Sequence, residues 1–129
     1  MIFFFIWIVM TYLPFLFVVL VALEHFYILI LEMFLWTKPK ALKVFGLSKE
    51  EAENTKAVAA NLGLYNGFLA VGLLWGLIHP VNAIGIQIQI FFLSCVLVAA
   101  IYGCVTAKKS ILFVQGLPAL IALLLVYFN

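Results

Sequence analysis

The sequence predicts an all-α fold, a bundle of four transmembrane helices with the N- and C-termini on the outer side and a long second helix extending into the cytoplasm. Three observations carry this. Of the 129 residues, 68% are hydrophobic and 9% charged, whereas soluble domains run at roughly 45–50% and 25%. Four apolar segments, near residues 13–36, 57–78, 84–107 and 111–128, each approach the roughly 20 residues that span a hydrocarbon core of about 30 Å. All seven lysines fall in the connections 37–56 and 108–110, and none in the turn at 79–82. The positive-inside rule therefore puts the first and third loops in the cytoplasm.

The first apolar run, Met1 to Trp36, is too long for one crossing. As a straight helix it would extend about 50 Å at 1.5 Å per residue. Pro14 removes one intrahelical hydrogen bond and offers a place to bend. Helix 1 proper is then expected to start near Pro14, with residues 1–12 an apolar extension at the outer interface or against a partner. The alternative is one long tilted helix. In the first loop, Lys40, Leu42, Lys43, Val44 and Phe45 mix basic and apolar residues, and Gly46 can close a helical turn in the left-handed conformation, which reads as an interfacial anchor. Ser48 followed by Glu51 is a capping box, so helix 2 begins there, about two turns before the membrane. His79-Pro80-Val81-Asn82 forms the outer turn. In helix 4, Gly116 and Pro118 follow Gln115 and are expected to loosen the helix and free a backbone carbonyl.

Several function classes are set aside. A net charge of +2 is too small and too local for nucleic-acid binding. Cys95 and Cys104 lie on one predicted helix about 13 Å apart, too far to bridge. The N-terminus has no basic segment or small-residue cleavage site, so no removable signal peptide is expected.

The informative residues are the polar ones inside the apolar segments, because a charge at bilayer depth costs about 2.5–3.5 kcal/mol even on lenient scales. Counted inward from Trp36, Glu24 and His25 lie about 17 Å deep, near the midplane, and Glu32 lies about one turn inside. On a helical wheel His25 and Glu32 nearly coincide, with Glu24 some 80–100° away. Asn61, Tyr102 and Gln115 fall at the depth of Glu32, and Asn66 at that of Glu24 and His25, while Gln87 and Gln89 approach from the outer side. The pattern predicts a polar pocket opening toward the cytoplasm, with the carboxylate and imidazole at its floor. Each residue also has a plainer reading: Asn and Gln as interhelical hydrogen bonds, the carboxyls as neutral bonded groups, His25 as a packing partner. Small residues on two sides of helix 2 (Ala59, Gly63 and Ala70; Gly72 and Gly76) suggest a central helix, close packing and homo-oligomerisation.

These residues resemble a family of small bacterial membrane proteins known only as domain of unknown function thirteen-oh-four. The resemblance runs over Leu23-Glu24-His25-Phe26-Tyr27, Glu32-Met33-Phe34, Phe45-Gly46-Leu47, Ile101-Tyr102-Gly103 and Gln115-Gly116-Leu117-Pro118-Ala119. Its most specific stretch is the decapeptide from Asn61 to Ala70, which brings Tyr65 into the candidate set. It implies four membrane helices in a bacterial inner membrane and no established activity. Small multidrug transporters offer an analogy through a membrane-embedded Glu in their first helix, and four-span eicosanoid and glutathione enzymes through their overall plan.

Three functions follow as expectations. Two intramembrane carboxylates without a cationic side chain nearby favour a transporter that exchanges protons against a small neutral or cationic substrate. A membrane-embedded enzyme would use His25 and Glu32 as an acid–base pair and Tyr102 as a hydroxyl donor on a lipid-like substrate, but the pair is about 10 Å apart along the axis. A structural or accessory subunit would use the polar residues for packing alone. No cofactor is expected, and no metal, since the Glu-x-x-His spacing of carboxylate sites is absent. The expected partners are the lipid bilayer and further copies of the chain.

Overall fold

A computed structural model describes residues 1–129, which fold into helices without a strand. Three of the helices are long and apolar enough to cross a membrane. The first, α1, runs unbroken over Ile2–Met33. Pro14 sits inside it, buried, without ending it. The long-helix alternative therefore holds, and helix 1 does not start near Pro14. One missing N–H costs one bond, and in an apolar segment no competing turn residue stands nearby to exploit it.

At its other end α1 stops three residues short of Trp36. The amides of Phe34 and Leu35 both converge on the Ile30 carbonyl, at 3.1 and 3.2 Å, and Lys38 turns extended before Pro39 opens α2 (Pro39–Phe45). Pro39 suits this first helical position because its missing N–H would have had no partner there. Gly46, at φ 67°, closes α2 in the left-handed conformation. The capping box then starts α3 (Lys49–Ile78): the Ser48 amide donates to Glu51 Oε2 at 2.8 Å and the Glu51 amide to Ser48 Oγ at 3.1 Å.

After the turn at His79–Val81, α4 covers Asn82–Thr106. The last apolar segment is split. Leu112–Gly116 is a π-helical turn, and α5 continues over Leu117–Phe128. The Leu117 amide reaches back five residues to the Leu112 carbonyl, and Pro118 has no amide to offer. The carbonyls of Phe113 and Val114 therefore lose their regular i+4 donors, the loosening expected from Gly116 and Pro118.

The long helices pack in a ring: α1 on α3 and α5, α3 on α4, and α4 on α5 and the π turn. Glycines on α3 set the closeness. A methyl group at Gly63 would sit 2.7 Å from Met33 Cγ and 3.2 Å from the Leu29 carbonyl oxygen, and one at Gly76 would sit 3.0 Å from the Gly85 carbonyl oxygen. The small faces of α3 are thus filled by α1 on one side and α4 on the other. Inside the ring, Val18, Val21, Leu73, Leu93, Val96 and Ala122 belong to one apolar core. The outside is equally apolar, with Phe91, Val105 and Phe113 among the exposed side chains. Such a surface is unfavourable in water and neutral in lipid, where the packing of small residues and hydrogen bonds, not burial from water, holds helices together.

The lysine-bearing connections share one end of the ring. Lys108 Nζ lies 4.0 Å from where a side chain at Gly46 would begin. Trp36 Nε1 donates to Thr55 Oγ1 at 3.0 Å, and its ring packs on Phe45 at 4.8 Å between centroids. That one indole ties the exit of α1 to both α2 and α3.

Candidate functional site

Most of the buried polar groups come from α1. One stripe of the helix, Pro14, Val18, Val21, His25 and Glu32, turns inward, as the 3.6-residue period requires of positions three, four and seven apart. His25 is 1% exposed. Its Nδ1 lies 2.8 Å from the Val21 carbonyl oxygen; a carbonyl only accepts, so Nδ1 carries the proton and Nε2 is left as the acceptor of a neutral ring.

Glu32, 7% exposed, is held from the neighbouring helix. Asn66 Nδ2 donates to Glu32 Oε2 at 2.8 Å and also to the Leu62 carbonyl at 3.1 Å. Both hydrogens of that amide are therefore committed, one to its own helix and one across the α1–α3 seam. The depth order expected from the sequence is corrected here: Asn66, not Asn61, is the residue abreast of Glu32. Counting inward from each loop assumed that Trp36 ends helix 1, but α1 ends at Met33, and the antiparallel register is set by the Gly63 and Gly67 contacts with Met33 and Leu29.

Glu24 differs from both. Its Oε1 is buried and has no hydrogen-bond partner. At about 100° per residue, Glu24 lies roughly 140–180° around α1 from Leu29 and Met33, the flank on which Gly63 and Gly67 of α3 sit. The Glu24 carboxyl therefore lies away from the α3 seam, on a helix that packs on α5 as well as on α3. The two carboxyls and the imidazole thus have different hydrogen-bonding situations. Glu32 answers to α3, His25 to its own backbone, and Glu24 to no partner.

The remaining candidates divide. Gln115 lies half-buried in the π turn, beside Gly116, which is buried against Ala100. Asn61 is exposed and donates back to the Ala57 carbonyl at 2.8 Å. Tyr65 is exposed and tilts against Phe68, and Tyr102 is 71% exposed. Asn61, Tyr65 and Tyr102 therefore face outward, and of these Asn61 and Tyr102 do not join the polar layer expected at the depth of Glu32. Position along a helix says nothing about which way a side chain points.

One cavity, of about 520 Å³, is a groove on the flank of the ring, walled by Phe26 and Leu29 of α1, by Leu64, Phe68 and Trp75 of α3, and by Phe92 of α4. None of the polar candidates lines it. Two further polar links carry packing: Gln89 Nε2 donates to the Gly76 carbonyl at 3.1 Å, joining α4 to α3, and Trp36 is bonded to Thr55. Gln89 was visible in the sequence as a polar residue in an apolar helix. The Trp36–Thr55 bond had no local signal, because it joins residues 19 apart through the fold of a loop.

An uncharacterized protein, YpaA, of Lactococcus lactis subsp. lactis (strain IL1403) is 34% identical over 121 residues, covering 92% of this chain and 100% of the relative. No solved structure matches the chain. Residues 19–127, which hold every candidate residue described above, match the family described as protein of unknown function (DUF1304). The chain belongs to the DUF1304 family.

Proposed function

We propose that this chain is a four-span protein of a bacterial inner membrane in which Glu24 takes up and releases protons, coupling them to the movement of a small neutral or cationic substrate. The observation that carries the reading is the buried, unpartnered Oε1 of Glu24. A buried carboxyl oxygen without a donor is costly, and a proton or a cation is what relieves it. Glu32, by contrast, already has its donor in Asn66 and serves as the fixed member of the pair. His25 offers Nε2 as a second proton acceptor on the same helix. The fourth crossing is made by the π turn and α5 together, a mainly apolar stretch of 17 residues, short enough that local thinning or flanking residues complete it. The lysines then set the loops at 37–56 and 108–110 on the cytoplasmic side and both termini outside. Since the small residues of α3 are filled from within the chain, further copies would meet through the exposed apolar faces of the ring.

A lipid-modifying enzyme is the second reading, favoured by the apolar groove, whose volume is that of a ligand site. His25, Glu32 and Tyr102 do not line that groove, which places the transport reading first. The test is flux in proteoliposomes carrying a pH dye, with a panel of small neutral and cationic compounds added outside. Wild-type chain is expected to move protons with at least one compound, and Glu24→Gln, which keeps size and polarity, to abolish the movement. Coupled flux at the wild-type rate in Glu24→Gln sinks the reading, and a panel without any proton movement leaves the polar groups with the packing role.

A further inference from the structure

A second feature, independent of the transport reading, lies at the end of the ring where the chain leaves and re-enters the bundle. All seven lysines collect there, against Glu50, Glu51 and Glu53 as the only acidic residues of the connections. The acidic residues all sit in the first two turns of α3. Glu51 is occupied by the capping box and Glu53 by Lys56, at 3.0 Å, the one ion pair of the chain. Lys38, Lys40, Lys43, Lys49, Lys108 and Lys109 make no ion pair, and of these acidic residues only Glu50 is left free to offset them.

Two segments more than 60 residues apart in sequence build this basic face together. Lys108 Nζ stands 4.0 Å from the side-chain position of Gly46, the residue that closes α2. On α2, buried Ala41 faces the bundle, Lys40 and Lys43 are exposed, and Val44 is 47% exposed. Lys40 reaches back over the ring of Tyr27, 5.4 Å from its centroid. The helix begins only six residues after α1 ends, so it has no length of chain with which to leave the membrane surface. A short helix with an apolar edge and lysines beside it, fixed at that surface, meets the layer where phosphates lie.

We propose that α2 and the Lys108–Lys109 connection form a docking surface for the phosphate head groups of anionic phospholipids, with Lys43, Lys108 and Lys109 as its charges and Val44 dipping into the acyl boundary. Charge complementarity selects this occupant: a zwitterionic head group carries its own cation and gains little from a face of unpaired lysines, whereas phosphatidylglycerol brings an uncompensated phosphate.

The test uses the full chain in vesicles of phosphatidylcholine or phosphatidylglycerol, each with brominated acyl chains that quench nearby indoles. Trp7→Phe with Trp75→Phe leaves Trp36, which packs on Phe45 of α2, as the reporter; Trp7→Phe with Trp36→Phe leaves Trp75 as the control. Phosphatidylglycerol is expected to compete for the Trp36 site roughly fivefold or more better than phosphatidylcholine, the worth of one well-placed lysine at a membrane surface, and to show no preference at Trp75. Lys43→Gln, Lys108→Gln and Lys109→Gln combined should equalise the two lipids at Trp36 while leaving Trp75 quenching and helicity unchanged. Equal quenching in the wild-type lysine background, or a preference that survives the triple change, overturns the proposal. So does loss of the preference on adding soluble glycerol phosphate at matched concentration, which would make this a site for a free anion.

Discussion

Asn66 and Glu32, 34 residues apart in the chain, are joined by a 2.8 Å hydrogen bond across the α1–α3 seam. The bond is possible because Gly63, one turn from Asn66, lets the helices approach until its side-chain position is 3.0 Å from Glu32 Cβ. A small residue and a polar residue on the same helix thus act together, one setting distance and the other direction.

Asn66→Leu should leave Glu32 Oε2 buried without a donor. Within membranes such bonds average about 0.6 kcal/mol and reach nearly 2, and the orphaned carboxyl places this one toward the upper end. Glu32→Gln keeps an acceptor for the Asn66 amide and should cost less. Unfolding in mixed micelles against increasing denaturing detergent orders the variants; a milder loss for Asn66→Leu than for Glu32→Gln would contradict the pairing.

The glycines are not equivalent. A methyl group at Gly85 would lie 2.5 Å from the Gly76 carbonyl oxygen, which is backbone and cannot turn aside. At Gly103 the nearest atoms are those of the Ile111 side chain, at 3.2 and 3.3 Å, which can shift. Gly85→Ala is therefore expected to destabilise by about 1–3 kcal/mol and Gly103→Ala to fall within the scatter of surface changes. The same detergent titration reads both, and equal effects would show that the α3–α4 contact is looser than described.

The capping box predicts a pH effect with a definite sign. The Ser48 amide, and after it the Ser48 hydroxyl, hold the Glu51 carboxyl below its usual value of 4.5. A carboxyl whose folded value is depressed contributes stability above its unfolded value and loses it as the pH falls through the folded one. The stability difference between wild type and Glu51→Gln should be constant near neutrality and close below about pH 4, where protonation removes the charge in both states. Ser48→Ala should cost about 1 kcal/mol at neutral pH. A gap that widens on acidification would reverse the assignment.

Trp36→Phe separates the two roles of that indole. Phenylalanine keeps a ring against Phe45 but has no N–H for Thr55. Proteolysis of the 34–48 connection in lipid is expected to rise severalfold in Trp36→Phe and to rise as much in Thr55→Val, with no further increase in the double variant. Additive effects would mean that the bond is not what holds the loop.

Period, length and end signals made the helices legible from residues alone. The apolar runs, Ser48 with Glu51, Gly46, and Gly116 with Pro118 are each local: a cap or a missing amide acts within four residues, so it can be read without knowing the fold. The long first helix was ambiguous for the same reason, because Pro14 weakens one turn and only the surrounding packing decides whether the helix survives. The polar residues were legible as a set but not as a site. Glu24, His25, Glu32, Asn66 and Gln115 are buried or half-buried, whereas Asn61, Tyr65 and Tyr102 turn outward. Composition and periodicity thus determined that this chain is a membrane protein of long apolar helices, since lipid demands that backbone polar groups be satisfied within each segment. Only the tertiary structure decided that Asn66 meets Glu32, that Glu24 lies away from the α3 seam, and that the groove beside Phe26 and Phe92 is apolar, because helix register and rotation depend on contacts between segments tens of residues apart.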